Sequence, residues 1–444
     1  MKRRLIFGLV GVVLLANLVI GARVYSSSSA AAEKDSAYPN LKLFSEVMEK
    51  VRDDYVAGQN FTYQDLVYGA LKGMIDQLDP HSEFLDPEKY KELQNDTEGH
   101  FGGLGIVIAV KDNIVTVVAP MEDTPGSRAG LLAGDRIIKI NGKSTEGMTS
   151  QDAVKVLRGD PGTDVTITIL RPSSGEVKDY KLTRAVIKVD MVKDINGQEE
   201  FPLGEDGIGY IRLTQFGDKT SDDLEAALDK LKSQGMRGLI LDLRWNPGGL
   251  LDQAVKVCQK FLPRGELVVT TEGRHTNERY TARGRGDELH GMPIVVLVNS
   301  WTASAAEIVS GCLQDLNRAV ILGEKTFGKG SVQSIIPLDD GSALRLTTAK
   351  YYTPSHKVIH EVGITPNVIV PVTDEEDQYL QVLRMPGGVE ALDPKTRKLV
   401  EGMRDRQLDR ATDLLKGILL FAERAPDRLE STPGKMAAAR NISN

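Results

Sequence analysis

Ile294-Val295-Val296-Leu297-Val298-Asn299-Ser300-Trp301-Thr302-Ala303-Ser304-Ala305-Ala306-Glu307-Ile308 passes from five apolar β-formers, through small and hydroxyl residues, into helical spacing. An unbroken apolar run of this length, bounded by polar residues, reads as a strand buried on both faces. Residues 305–316 then predict a helix. A serine at such a junction faces free backbone N–H groups and the positive end of the helix dipole, which favour developing negative charge. Serine and threonine are also the ordinary helix caps, so this stretch alone admits both a cap and a nucleophile.

The same rhythm extends outward. Strands are predicted at 209–213, 239–243 and 319–323, and helices at 221–232 and 250–261. Strands alternating with helices imply an α/β layer arrangement. Residues 374–444 hold helical stretches, notably 399–422, with no chemistry of their own, and are expected to pack on the core or on another subunit. Residues 38–90 have helical apolar spacing, with Asp79-Pro80 and Asp86-Pro87 as punctuation. His81, in that turn, reads as a structural hydrogen-bonder.

Between 99 and 186 the period becomes two. Ile106, Ile108 and Val110 alternate, Asn141-Gly142 marks a tight turn, and 150–157 reads as a helix capped by Thr149 or Ser150. This unit opens on Phe101-Gly102-Gly103-Leu104-Gly105-Ile106 and resembles a PDZ domain. By that resemblance Gly103, Leu104, Gly105 and Ile106 form a carboxylate-binding loop, and the next strand is an edge to which a peptide adds. Backbone N–H groups in such a loop make a nest for a terminal carboxylate.

Gly323-Glu324-Lys325-Thr326-Phe327-Gly328-Lys329-Gly330-Ser331-Val332-Gln333 follows a predicted strand. It misses a phosphate loop at its last place, because Gly330 stands where Ser or Thr should hold magnesium. The other reading makes Lys329 a general base. A free lysine near pKa ~10.4 is almost wholly protonated at neutral pH, so burial would have to lower it.

Together with Asp242-Leu243-Arg244-Trp245-Asn246-Pro247-Gly248-Gly249, these segments resemble the carboxy-terminal processing (tail-specific) proteases, exported serine peptidases with an inserted PDZ domain. The resemblance runs from about residue 41 to 372. It implies Ser304 as nucleophile, Lys329 as base and Gln333 as the partner that holds the lysine. Gly248 and Ala305 N–H groups become the oxyanion donors, with Gly249 as alternative to Gly248. The family often has Ser where this chain has Thr302 and Ala306. The implied fold is a multidomain α+β and α/β chain. It comprises a helical segment (33–98), a PDZ domain (99–186), a crotonase-like α/β protease core (187–372) and a helical tail (373–444). Neither cofactor nor metal is implied. The implied partners are polypeptides with accessible C-termini, engaged by a PDZ domain that tethers them or gates the active site. An activator or adaptor protein and a homo-oligomer stay open. The alternative function is an inactive scaffold that binds protein C-termini.

The rest of the sequence bounds this reading. The formal charge of −7 over 444 residues argues against a nucleic-acid partner. Lys2, Arg3 and Arg4 precede an apolar run at 5–22 and small residues to 32. That is the pattern of a signal peptide or an N-terminal anchor, with the remainder periplasmic or otherwise extracytoplasmic. Membrane contact is expected only through this segment. Six histidines offer a Ser-His-Asp alternative, but no Gly-x-Ser-x-Gly elbow and no His-Glu-x-x-His is present. Cys258 and Cys312 read as buried structural thiols, and export would permit a disulfide between them.

Overall fold

Leu239, Leu241 and Leu243 share one hydrophobic cluster with Ile294, Val296 and Val298, while the alternate residues Ile240, Val295 and Leu297 belong to another. Strand period two puts these sets on opposite faces of one sheet, so both faces need a cover. The computed structural model describes residues 37–56, 61–111, 113–121, 123–204, 206–284, 289, 291–384, 389 and 394–424. The 5–22 apolar run lies outside them. Among the described residues no helix is long and apolar enough to cross a membrane.

The chain divides into two units, one ending at Phe84 and the other beginning at Leu85. The first contains helices α1 (Ala37–Asp54) and α2 (Tyr63–Ile75). Thr62 and Asp65 exchange side-chain-to-backbone bonds, a capping box that starts α2. Asp79 accepts the backbone N–H groups of His81 and Ser82, which closes the turn predicted there.

The second unit begins with α3 (Pro87–Glu98), a helix grouped by sequence with the N-terminal ones. Strand β1 (His100–Gly103) follows, then β2 (Ile106–Lys111), β3 (Ile114–Pro120), β4 (Arg136–Ile140), helix α4 (Ser150–Leu157), β5 (Asp164–Arg171), β6 (Glu176–Thr183) and β7 (Ala185–Lys188). The antiparallel order is β2-β3-β4-β5-β6, with β2 at the edge. β1 pairs antiparallel with β7, so this β-rich unit leaves the chain where it entered it. Its core joins Leu104, Val115, Ile137, Leu157 and Ile167.

The larger body holds β8 (Val192–Lys193), β9 (Ile208–Leu213), α5 (Thr220–Ser233), β10 (Gly238–Asp242), α6 (Leu251–Gln259), β11 (Leu267–Gly273) and β12 (Asn277–Thr281). These precede β13 (Ile294–Val298), α7 (Ala305–Asp315), β14 (Val320–Gly323), β15 (Ser331–Pro337), β16 (Ala343–Tyr352) and β17 (Val368–Ile369). The order β8-β9-β10-β13-β14-β17 is parallel except at β8. α5, α6 and α7 bury Leu228, Val257 and Val309 on one face.

The tail covers the other face. It contains α8 (Asp374–Arg384), α9 (Pro394–Glu401) and α10 (Arg406–Arg424), and α10 buries Ala411 and Leu415 against Ile240, Val295 and Leu322. Truncating a buried leucine such as Leu415 to alanine costs about 2–5 kcal/mol. The helical stretch expected over 399–422 is broken between Glu401 and Arg406. A second, antiparallel sheet, β15-β16-β11-β12, was not foreseen from the alternation of strands and helices.

Candidate active site

Ser304 ends the loop between β13 and α7, with φ 56° and ψ −118°, and is 8% exposed. A non-glycine residue there is strained by roughly 1–3 kcal/mol and persists only when its surroundings fix it. Three loops do so. Thr302 Oγ1 donates to the Leu243 carbonyl (2.9 Å), Ala303 N–H to the Asn246 carbonyl (2.9 Å), and Phe327 N–H to the Thr302 carbonyl (3.0 Å).

The residue that sequence reasoning missed is Glu307, one turn into α7 and fully buried. Its Oε2 accepts the backbone N–H groups of Ser304 (2.9 Å) and Lys329 (2.8 Å). Its Oε1 accepts the Gly328 N–H (2.7 Å) and the Thr326 hydroxyl (2.5 Å). Burial pushes this carboxyl up, and the four donors only partly offset it. Four donors converging on one carboxylate join the serine segment to the lysine loop. A capping-box spacing, Ser304-x-x-Glu307, was the available signal.

Lys329 lies on the loop before β15, between Gly328 (φ 92°) and Gly330. A side chain at Gly330 would strike the His360 backbone, its Cβ falling 2.1 Å from N. Burial lowers the Lys329 ammonium below the ordinary lysine range, and the positive charge of Arg345 lowers it further. Gln333, expected to hold this lysine, donates Nε2 to Thr347 Oγ1 (2.9 Å) and Ser331 Oγ (3.2 Å).

The loop after β10 approaches the serine closely. A Cβ on Gly248 would stand 2.7 Å from Ser304 Cβ and 2.9 Å from the Ala305 nitrogen, so only glycine fits. The Gly248 N–H, expected to serve an oxyanion, is here given to Asn246 Oδ1 (2.8 Å). That side chain also donates Nδ2 to the Leu213 carbonyl (2.8 Å). Gly249 (φ 143°) approaches Phe216, whose N–H bonds the Gly248 carbonyl and whose carbonyl accepts the Leu250 N–H. Ala305 begins α7, where a backbone N–H has no partner within the helix.

Ahead of this loop lies a charged network. Asp242 and Arg244 are both fully buried. Arg244 donates Nη2 to Asp242 Oδ2 (2.7 Å) and Nη1 to Asp405 Oδ1 (2.9 Å) and Gln407 Oε1 (3.0 Å). Arg384 and Tyr210 also donate to Asp242. Burial alone would raise the Asp242 carboxyl, but Arg244 and Arg384 hold it well below the usual range. The network ties the tail to the core.

In the β-rich unit, Leu104 is 2% exposed and Gly105 takes φ 65°. A Cβ at Gly105 would meet Thr124 at 2.3 Å. A cavity of about 220 Å³ runs between β2 and α4, lined by Gly103, Leu104, Gly105, Ile106, Val154 and Arg158, among others. Sequence reading did not single out Arg158. It caps α4, sits 4.3 Å over the Phe101 ring and donates to Asp96 (3.1 Å).

His356 contacts Glu272 and stacks on Tyr352. His290 lies outside the described residues. Both cysteines are buried free thiols. The neighbouring Cys258 thiol and burial together push Cys312 up, away from the reactive thiolate.

The model of peptidase family S41 matches residues 207–370, and that of the PDZ domain matches residues 116–171. The carboxy-terminal-processing protease of Bartonella bacilliformis is 45% identical over 376 residues, 83% of each chain. The carboxy-terminal processing protease CtpA of Bacillus subtilis is 34% identical over 84% of this chain and 79% of that protein. A solved structure of photosystem II D1 C-terminal processing protease is 30% identical, with a TM-score of 0.45, over 80% of this chain and 93% of that one.

Proposed function

Because the chain belongs to peptidase family S41, among the PDZ-bearing carboxy-terminal processing proteases, we propose that it is an exported serine endopeptidase with a Ser304–Lys329 dyad. The observation that carries this reading is the Glu307 carboxylate, which holds the backbones of both residues beside a strained serine. The neutral Lys329 amine takes the Ser304 Oγ proton as Oγ attacks the scissile carbonyl carbon. The Ala305 N–H and that of Gly248 or Gly249 receive the oxyanion. The lysine ammonium then passes its proton to the departing amine, leaving an acyl-enzyme. Lys329 next takes a proton from water as the water oxygen attacks the acyl carbon. It then returns that proton to Ser304 Oγ as the Oγ–acyl bond breaks, which releases the new C-terminus.

In the arrangement described, Gly248 N–H is occupied and Gln333 is turned to Thr347, which suits a resting enzyme. The PDZ groove would engage the substrate's terminal carboxylate and release this state. Hydrogen bonds lead from one site to the other: Arg158 to Asp96, Asp218 N–H to the Thr97 carbonyl, and Phe216 to Gly248 and Leu250. The N-terminal apolar run would deliver the enzyme across the membrane as a signal or an anchor. The test is substrate trapping: Ser304→Ala, expressed in the native compartment, should retain polypeptides that the wild-type protein cleaves near their C-termini. Loss of capture in the trap, or cleavage by it, would overturn the reading.

A further inference from the structure

We infer that Asp377, on the first turn of the tail helix α8, is a positioning residue for the oxyanion-side loop, acting through Trp245. Trp245 directly precedes Asn246-Pro247-Gly248-Gly249 and has φ 56°, a backbone state that a bulky residue keeps only when clamped. Asp377 provides the clamp. Its carboxylate accepts the indole N–H at 3.1 and 3.0 Å through its two oxygens. The Trp245 backbone N–H donates to Asn299 Oδ1 (3.0 Å), and Asn299 Nδ2 lies 3.4 Å from Asp377 Oδ1. One tail carboxylate thus touches the start of the nucleophile loop and the start of the oxyanion loop.

The indole ring is also hemmed by cations. The guanidinium carbons of Arg244 and Arg384 each lie 5.2 Å from its centroid, and that of Arg212 lies 5.7 Å away. Asp405, also in the tail, fixes two of these guanidinium groups. Displacing Trp245 would move Asn246, whose carbonyl accepts the Ala303 N–H and whose Oδ1 holds Gly248. The spacing between Gly248 and Ser304 would change with it. The tail therefore sets the geometry of the transition-state site without touching substrate.

This inference rests on the reading of the Ala305 and Gly248 or Gly249 N–H groups as oxyanion donors. Its test uses the full chain, a fluorogenic peptide with a free apolar C-terminus, and a peptide boronic acid that forms a tetrahedral adduct on serine. Asp377→Ala should lower kcat by about 10- to 100-fold with KM little changed, the range for a small misplacement of reacting groups. Boronate affinity should fall in step. Trp245→Phe removes only the indole donor and should reproduce the loss, and the double variant should be no worse than either single one. Asp377→Asn keeps an acceptor oxygen and should recover most of the activity.

A wild-type kcat in Asp377→Ala, or additive losses in the double variant, would overturn the inference. So would an unchanged kcat with a raised KM. Should Asp377→Ala fail to fold, Trp245→Phe and Asp377→Asn still decide the matter. Failure of the underlying reading looks different: wild-type enzyme would then be insensitive to the boronate, or Ser304→Ala would remain active.

Discussion

Ser304 and Lys329 donate their backbone N–H groups to the same oxygen, Glu307 Oε2, at 2.9 and 2.8 Å. A shared acceptor fixes the two backbones relative to each other even where the side chains are not hydrogen-bonded. The relative placement of these two segments is therefore a property of a third, buried residue. Removing that acceptor leaves three backbone N–H groups and one hydroxyl without it. Each unsatisfied donor costs about 1–3 kcal/mol.

Glu307→Ala is accordingly expected to lose about 3 kcal/mol or more of stability, read as a lower urea midpoint. Activity should fall further than the unfolded fraction explains. Glu307→Gln keeps one oxygen but turns an amide N–H toward donors, so it should rescue only in part. A variant with unchanged midpoint and kcat would show that the carboxylate fixes neither loop.

Ser304→Ala should abolish turnover and leave the melt intact, since the bond to Glu307 uses the residue 304 backbone N–H, which alanine keeps. Lys329→Arg keeps the charge, but a guanidinium with pKa above ~12 takes no proton from serine. It should be as inactive as the alanine variant in an assay of peptide cleavage. An active arginine variant would remove the dyad and return the histidines to consideration.

The pH profile follows from two causes acting in one direction. Burial and the charge of Arg345 both disfavour the Lys329 ammonium. The amine is therefore freed at lower pH than in free lysine, and kcat/KM should rise with pH through a pKa below ~10.4. Arg345→Gln removes the repulsion, raises the lysine pKa and should move the ascending limb to higher pH. A limb that stays in place or moves down would contradict the assignment of Lys329 as the titrating base.

Recognition by the groove beside Gly103, Leu104, Gly105 and Ile106 is testable with peptides alone. Amidating the C-terminus removes the charge, so binding measured by calorimetry should weaken by roughly 1.5–3 kcal/mol. Equal binding of acid and amide would remove the carboxylate role.

Deleting residues 99–186 separates tether from gate, and the fold permits it because Val189 N–H bonds the Gly99 carbonyl (2.9 Å). A tether predicts lower kcat/KM on long substrates with kcat maintained. A gate predicts faster and less selective cleavage of an unfolded test protein, and this is the outcome expected. Slower cleavage with kcat maintained would overturn the gate.

The local signals carried a long way. Apolar run length and period placed β13, β10 and α5 to within a residue or two, because both faces of the parallel sheet are buried and its strands contain little else. The glycine spacing around Lys329 and the small-residue junction at Ser304 stood out in the sequence for a similar reason: backbones that approach within 3 Å exclude side chains, as at Gly248. What the sequence left open depends on contacts between distant segments. The sheet β15-β16-β11-β12 pairs strands some 80 residues apart, and edge strands with mixed burial carry a weak period. Glu307 carries only a local capping-box spacing in sequence; the fold brings Thr326, Gly328 and Lys329 to its carboxylate. Asp377 and Asp405 belong to a tail in which the sequence offered no chemistry. Only the packing of the tail against the core carries them to Trp245 and Arg244, where low solvent exposure makes each hydrogen bond costly to lose.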